Sequence, residues 1–222
     1  MTFTRIDLAN WKRREHYEFF LHEAPCSYSM TVQLDVTPIF ERGERLQVAM
    51  LFYLSYVANH HKEFRMHIDE EGCPGYFDYL VPQYTIFHKE NHTFSGMWTE
   101  YKETYKAFEK EYDKDQALYG HNLGAFAKPH RPPNILYIST IPWVAFDSLN
   151  LNFQKAYGEL LPMLTMGQCH EKDGRKWLPL AVQVHHSACD GYHVGRFLKD
   201  LREVILHGGS VTSDFEKGIR DE

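Results

Sequence analysis

Val182-Gln-Val-His185-His186-Ser-Ala-Cys-Asp190-Gly191-Tyr-His-Val-Gly-Arg196-Phe197 is the stretch from which the fold class of this 222-residue chain is read. A β-prone apolar run passes through two histidines into an Asp-Gly turn. Beyond Gly191 the apolar residues Val194, Phe197, Leu198, Leu201 and Ile205 recur at helical spacing, and Gly208 lies where a C-terminal cap belongs. The segment therefore reads as strand, sharp turn and helix, with the pattern H-H-x-x-x-D-G at the junction. An imidazole titrates near neutrality and can take a proton from a hydroxyl, and the end of a rigid strand fixes its direction. Neighbouring strand residues point to opposite faces, so one of His185 and His186 enters a given cleft, and spacing alone leaves open which. Asp190 suits the turn, and its carboxylate either orients a histidine or pairs with an arginine from elsewhere. His60-His61 is an internal comparison: a histidine pair with neither the Asp-Gly nor the strand-to-helix context.

Working outward, residues 162–170 and 175–187 read as a hairpin turning at Asp173-Gly174, and residues 134–141 as a strand. Residues 45–61 are apolar nearly all round and long enough for a buried helix, followed by short strands over 64–69, 76–80, 83–88 and 93–98. Tyr101, Tyr105, Phe108 and Tyr112 form an aromatic stripe on a helix expected over 99–118. Near the start, Asn10 is expected to cap a helix over 11–22, and alternation over 28–35 marks a half-buried strand. Strands interrupted irregularly by helices indicate a mixed α/β fold, a mixed β-sheet with packed helices, in one domain over 1–207, with a polar C-terminal tail over 208–222 expected to fray.

Composition narrows the function classes. Lys plus Arg number 24 against 30 Asp plus Glu, a formal charge of −6, so no general positive field exists to hold a nucleic-acid backbone. The longest apolar run, 48–58, is shorter than the roughly 18 residues of a bilayer span, and the N-terminal residues carry charges where a signal peptide would be apolar. Four scattered cysteines without a C-x-x-C pair fit reduced thiols and a cytoplasmic location.

The segment 184–197 resembles the active-site signature of the chloramphenicol acetyltransferase family. The resemblance extends to Asn10-Trp11-x-Arg13-Arg14-Glu15-His16-Tyr17, Phe64-Arg65-Met66, Tyr84-Thr85-x-Phe87-His88, Thr93-Phe94-Ser95, Ser139-x-x-Pro142-Trp143-Val144-x-Phe146 and Leu178-Pro179-Leu180, in family order over roughly residues 3–206. The H-H-x-x-x-D-G element alone is shared with dihydrolipoamide acyltransferase and peptide-synthetase condensation domains, so the flanking segments narrow the choice. The resemblance implies the CoA-dependent acyltransferase fold, a homotrimer with active sites at subunit interfaces, acetyl-CoA as co-substrate, chloramphenicol as acceptor, and no bound cofactor or metal. It implies His186 as general base and Ser139 as donor to the tetrahedral oxyanion. Thr165 would hold a water near that intermediate, and Asp190 would pair with Arg13 as structural support. Phe19, Phe94, Phe126 and Leu151 would line the antibiotic pocket together with Phe20, which stands where many members carry a tyrosine. Tyr137 and the turn Glu70-Glu71-Gly72-Cys73-Pro74-Gly75 also depart from the family pattern.

Three other readings stand beside this one. A related CoA-dependent acyltransferase would act on another alcohol, and a catalytically silent relative would bind CoA or drug without turnover. A metal bound by His186, Asp190 and His193 at the turn would make activity sensitive to chelators.

Overall fold

The computed structural model describes residues 1–152 and 160–209, and the part of the expected C-terminal tail over 210–222 lies outside the described residues. Strand β1 (Phe3–Arg5) leads to helix α1 (Arg14–Glu18), which widens into a π-helical turn over Phe19–Glu23. Then come β2 (Ser27–Asp35), α2 (Thr37–Glu41), α3 (Leu46–His60), β3 (Met66–Ile68), β4 (Pro74–Phe77), β5 (Val81–His88) and β6 (Thr93–Trp98). The remaining elements are α4 (Tyr105–Tyr119), β7 (Ile135–Thr140), β8 (Met163–Met166), β9 (His170–Lys172), β10 (Arg175–His185) and α5 (Gly191–His207).

The large sheet runs β2-β10-β8-β7-β5-β6, with β9 pairing β10 as its seventh strand, and is mixed: β5–β7 and β7–β8 are parallel and the other pairs antiparallel. The expected succession of short strands after α3 is divided, with β3 and β4 joining β1 in a separate three-stranded sheet. The hairpin between β9 and β10 turns where expected. Asp173 and Gly174 have φ of 54° and 73°, the left-handed pair that a two-residue connection between right-twisted strands requires.

Helix α3 is the middle of the core. Every residue from 48 to 58 is buried, with α4, α5 and β5 packed against it. Its one hydroxyl of serine type in that span, Ser55, donates to the Leu51 carbonyl at 2.6 Å, so this donor is not left unsatisfied in apolar surroundings. Burial of each large side chain there, such as Phe52 or Leu54, contributes about 1.5–3 kcal/mol. Helix α5 presents Val194, Phe197, Leu198, Leu201, Val204 and Ile205 to the same core, and Phe197 stacks on Phe64 at 4.3 Å.

Two expected helices start later than their composition suggests. Asn10 does not cap α1: its side chain donates to Asp7 at 2.7 Å, which holds residues 7–10 in a turn and delays the helix to Arg14. The helix expected from residue 99 begins at Tyr105, because Thr104 is extended and its hydroxyl accepts from the Ala107 N–H as the cap. Tyr101 lies outside that helix.

Candidate active site

Strand β10 ends at His185, and the two histidines part there. His185 is buried, its Nδ1 2.7 Å from the Ser187 hydroxyl. His186 is half-buried, and its N–H donates to the Cys26 carbonyl at 2.9 Å, carrying the pairing of β10 with the β2 side one residue past the strand. The His186 imidazole lies flat on the Phe20 ring, centroids 3.8 Å apart and planes within 4°, with the Tyr28 ring edge-on at 5.3 Å. Phe19 in turn meets Phe20 edge-on at 5.1 Å. The rings fix the imidazole plane, and among the described residues no charged side chain is in hydrogen-bond contact with it. Nδ1 is buried with no hydrogen-bond partner among the described residues, which leaves Nε2 as the nitrogen available to a substrate. Burial pushes the Tyr28 phenol up, so it stays protonated at neutral pH.

The Asp-Gly turn is built on one carboxylate. Asp190 Oδ1 accepts from the N–H groups of Tyr192 (3.0 Å) and His193 (3.4 Å), capping α5, while the His193 ring accepts from the Asp190 N–H at 3.2 Å. Asp190 Oδ2 pairs with Arg13 at 2.6 Å, joining the N-terminal segment to the turn that carries His186. Burial pushes the Asp190 carboxyl up, but the hydrogen bond and charge of Arg13 and the hydrogen bond from the His193 N–H outweigh it, so the group sits below its ordinary 3.8. A carboxylate lowered in the folded state stabilises that state above its unfolded pKa, and the contribution is lost as pH falls through the folded value. Arg13→Ala removes the strongest of the lowering influences. The variant is therefore expected to lose about 1–3 kcal/mol at pH 7, with the gap from the parent closing as pH falls below about 4. Urea unfolding of both proteins at pH 7, 4 and 2 checks this; a gap as large at pH 2 as at pH 7 contradicts it.

Ser139 lies elsewhere, on β7, where it is the register partner of Thr165 on β8. Thr165 in turn faces Ala181 on β10, and Ala181 faces Thr31 on β2. Ser139 lines a cleft of about 650 Å³ with Thr85, Phe87, His92, Phe94 and Trp143. Phe94 is 65% exposed and Phe126 53% exposed, the latter with the Arg131 guanidinium 5.4 Å over its ring. Leu151 is held over β10 by Gln183, whose side chain accepts from the Leu151 N–H at 2.9 Å and donates to its carbonyl at 2.8 Å. Ser29 and Gln33 on β2 donate to the carbonyls of Leu149 and Phe146, so residues 146–151 form a strap tied across this sheet face. These tying residues carry no motif; the polar positions 29, 31 and 33 alternating along β2 are the sequence signal available for them.

The structure thus assembles two groups: Arg13, Phe19, Phe20, His186 and Asp190 at one end of β10, and Ser139 and Phe94 at the cleft, with the buried Thr165 beside Ser139 on β8. Between them lie two strand spacings across the sheet and five residues along it, a separation of roughly 15–20 Å. Among the described residues no hydrogen bond connects them within one chain. For the metal reading, no group of three or more His, Cys, Asp and Glu among the described residues could hold an ion, and His193 is engaged with the Asp190 N–H.

The site is thus an imidazole delivered at the end of a strand of a mixed sheet, followed at once by a capped helix. A solved chloramphenicol acetyltransferase superposes with a TM-score of 0.81 at 24% identity, covering 92% of this chain and all of that one. The family described as chloramphenicol acetyltransferase matches residues 1–202. A chloramphenicol acetyltransferase of Vibrio anguillarum is 47% identical, covering 94% of this chain and 99% of its own length, and one of Clostridioides difficile is 46% identical, covering 93% and 97%. The chain belongs to the chloramphenicol acetyltransferase family.

Proposed function

We propose that this protein transfers an acetyl group from acetyl-CoA to a hydroxyl of chloramphenicol, as a cytoplasmic homotrimer whose subunits are single domains over residues 1–207. The observation that carries the mechanism is the His186 ring, clamped flat between aromatic neighbours with only Nε2 available. In the reaction, Nε2 takes the proton of the acceptor hydroxyl as its oxygen bonds to the thioester carbonyl carbon. The carbonyl oxygen becomes an oxyanion, to which the Ser139 hydroxyl donates, with a water held by Thr165 nearby. On collapse the C–S bond breaks, the imidazolium returns its proton to the departing sulfur, and an ester and the CoA thiol are released. Phe19, Phe20, Phe94, Phe126 and Leu151 supply an apolar wall for the aromatic acceptor.

The separation of His186 from Ser139 within one chain supports a site completed between subunits, in which the exposed Phe94 and Phe126 rings gain a cover. Direct transfer fits better than an acyl-cysteine intermediate, because burial pushes the Cys189 thiol well up and keeps it protonated. No helix among the described residues is long and apolar enough to cross a membrane. Sedimentation equilibrium is expected to give the mass of three chains, and a single-chain mass contradicts the interface site. The activity itself is tested by release of free CoA thiol from acetyl-CoA with chloramphenicol. Release only with a different alcohol would instead identify an acyltransferase of other acceptor specificity.

A further inference from the structure

Outside the two groups above, the chain holds a second buried serine–histidine pair, on the β5–β6 hairpin. The Ser95 hydroxyl is fully buried and 2.9 Å from Nε2 of His88, itself 6% exposed. Such a pair invites comparison with a nucleophile and its base, but its hydrogens are assigned differently. Ser95 Oγ donates to the Gly124 carbonyl at 2.6 Å, with the Asn122 carbonyl at 3.3 Å. A hydroxyl has one hydrogen, so the bond to His88 is one that Ser95 accepts and Nε2 donates. The result is a one-way chain from His88 through Ser95 to the backbone of loop 122–127.

That loop occupies the outer edge of β6, the last strand of the sheet. Gly96 N–H donates to the Ala125 carbonyl and Ala127 N–H to the Gly96 carbonyl, both at 2.8 Å, and the Asn122 side chain donates to the Ala127 carbonyl at 3.0 Å. Phe126 lies at the crest. Its ring rests over Gly96, where a Cβ would stand 3.0 Å from the ring, and Gly96 is the register partner of Thr85 in the Ser139 cleft. Phe126 is 53% exposed, with Gly96 beneath its ring and the Arg131 guanidinium 5.4 Å over it, and the polar anchors under the loop hold the backbone that carries it.

We infer that Ser95 and His88 are positioning residues for acceptor binding: they hold loop 122–127 on the sheet edge so that Phe126 stands at the cleft over Gly96. The inference rests on the proposed acceptor role of Phe126. The test is Ser95→Ala, with His88→Gln as a conservative variant that keeps a donor and Gly96→Ala as a variant that displaces the ring without touching the pair. KM for chloramphenicol, KM for acetyl-CoA, kcat and the amide exchange rate of Ala127 are measured for each. Ser95→Ala is expected to raise the chloramphenicol KM about tenfold, the equivalent of one hydrogen bond, to leave the acetyl-CoA KM within about twofold, and to speed Ala127 exchange. Gly96→Ala is expected to shift the chloramphenicol KM alone, and His88→Gln to lie nearer the parent than Ser95→Ala. If both KM values move together, or neither moves, the positioning role is overturned, as a merely structural pair would do the one and an idle pair the other. Should Ser95→Ala not fold, the other two variants decide by the same split. A parent inactive on chloramphenicol would remove the acceptor reading; the anchoring would then be judged on Ala127 exchange, and exchange unchanged in Ser95→Ala would overturn it.

Discussion

His186→Ala is expected to lower kcat by about 10²–10⁴-fold, the range a positioned general base contributes. The fold should survive, because the ring is half-buried and its neighbours are the rings of Phe20 and Tyr28 rather than charges left unpaired by its removal. The strand it follows keeps its bonds to β2 and β8 through backbone groups alone. The stack with Phe20 accounts for about 0.5–1.5 kcal/mol of stability, so a small loss in the unfolding midpoint accompanies the large loss in rate. Steady-state kinetics with circular dichroism on the same preparation tests both halves. An unchanged kcat would exclude this imidazole as the base.

Ser139→Ala carries the second large effect, about 10²–10³ in kcat or about 2.7–4 kcal/mol of transition-state stabilisation, with KM for both substrates little changed. The reason lies in when the hydroxyl is needed. A donor aimed at the oxyanion strengthens its bond as charge develops on that oxygen, so its loss appears in kcat rather than in binding. Ser139 is partly exposed at the cleft and pairs with Thr165 across parallel strands, so removing one oxygen leaves the sheet ladder intact. A loss confined to KM would mean that Ser139 contacts the ground state only, and that some other group stabilises the intermediate.

Local patterns are legible in the sequence, and long-range pairings are not. The all-round apolarity of residues 48–58 announces a buried helix, the periodicity after Gly191 announces α5, and Asp173-Gly174 announces the hairpin, each because a period or a turn demands particular residues at short range. The late starts of α1 and α4 are hidden because Asn10 and Thr104 could each cap or turn, and the choice depends on Asp7 and on the extended backbone at Thr104. The division of the short strands between two sheets depends on the N-terminal β1 taking the distant β4 as its partner, Phe3 against Phe77. Arg13 and Asp190 lie 177 positions apart, and each alone would read as a solvated charge. Only family resemblance links them in the sequence, whereas in the fold they meet at 2.6 Å. The distance between His186 and Ser139 has no sequence signal at all, since it follows from strand order.

That distance makes subunit complementation the most direct measurement. His186→Ala and Ser139→Ala chains, each nearly inactive, are mixed in equal amounts, dissociated and reassembled. If one subunit supplies the base and its neighbour the oxyanion donor, about a quarter of the interfaces in a random cyclic assembly regain both groups, and about a quarter of the parental activity returns. A mixture no more active than its two components would show that the residues do not meet across an interface, and would contradict an active site shared between neighbouring subunits.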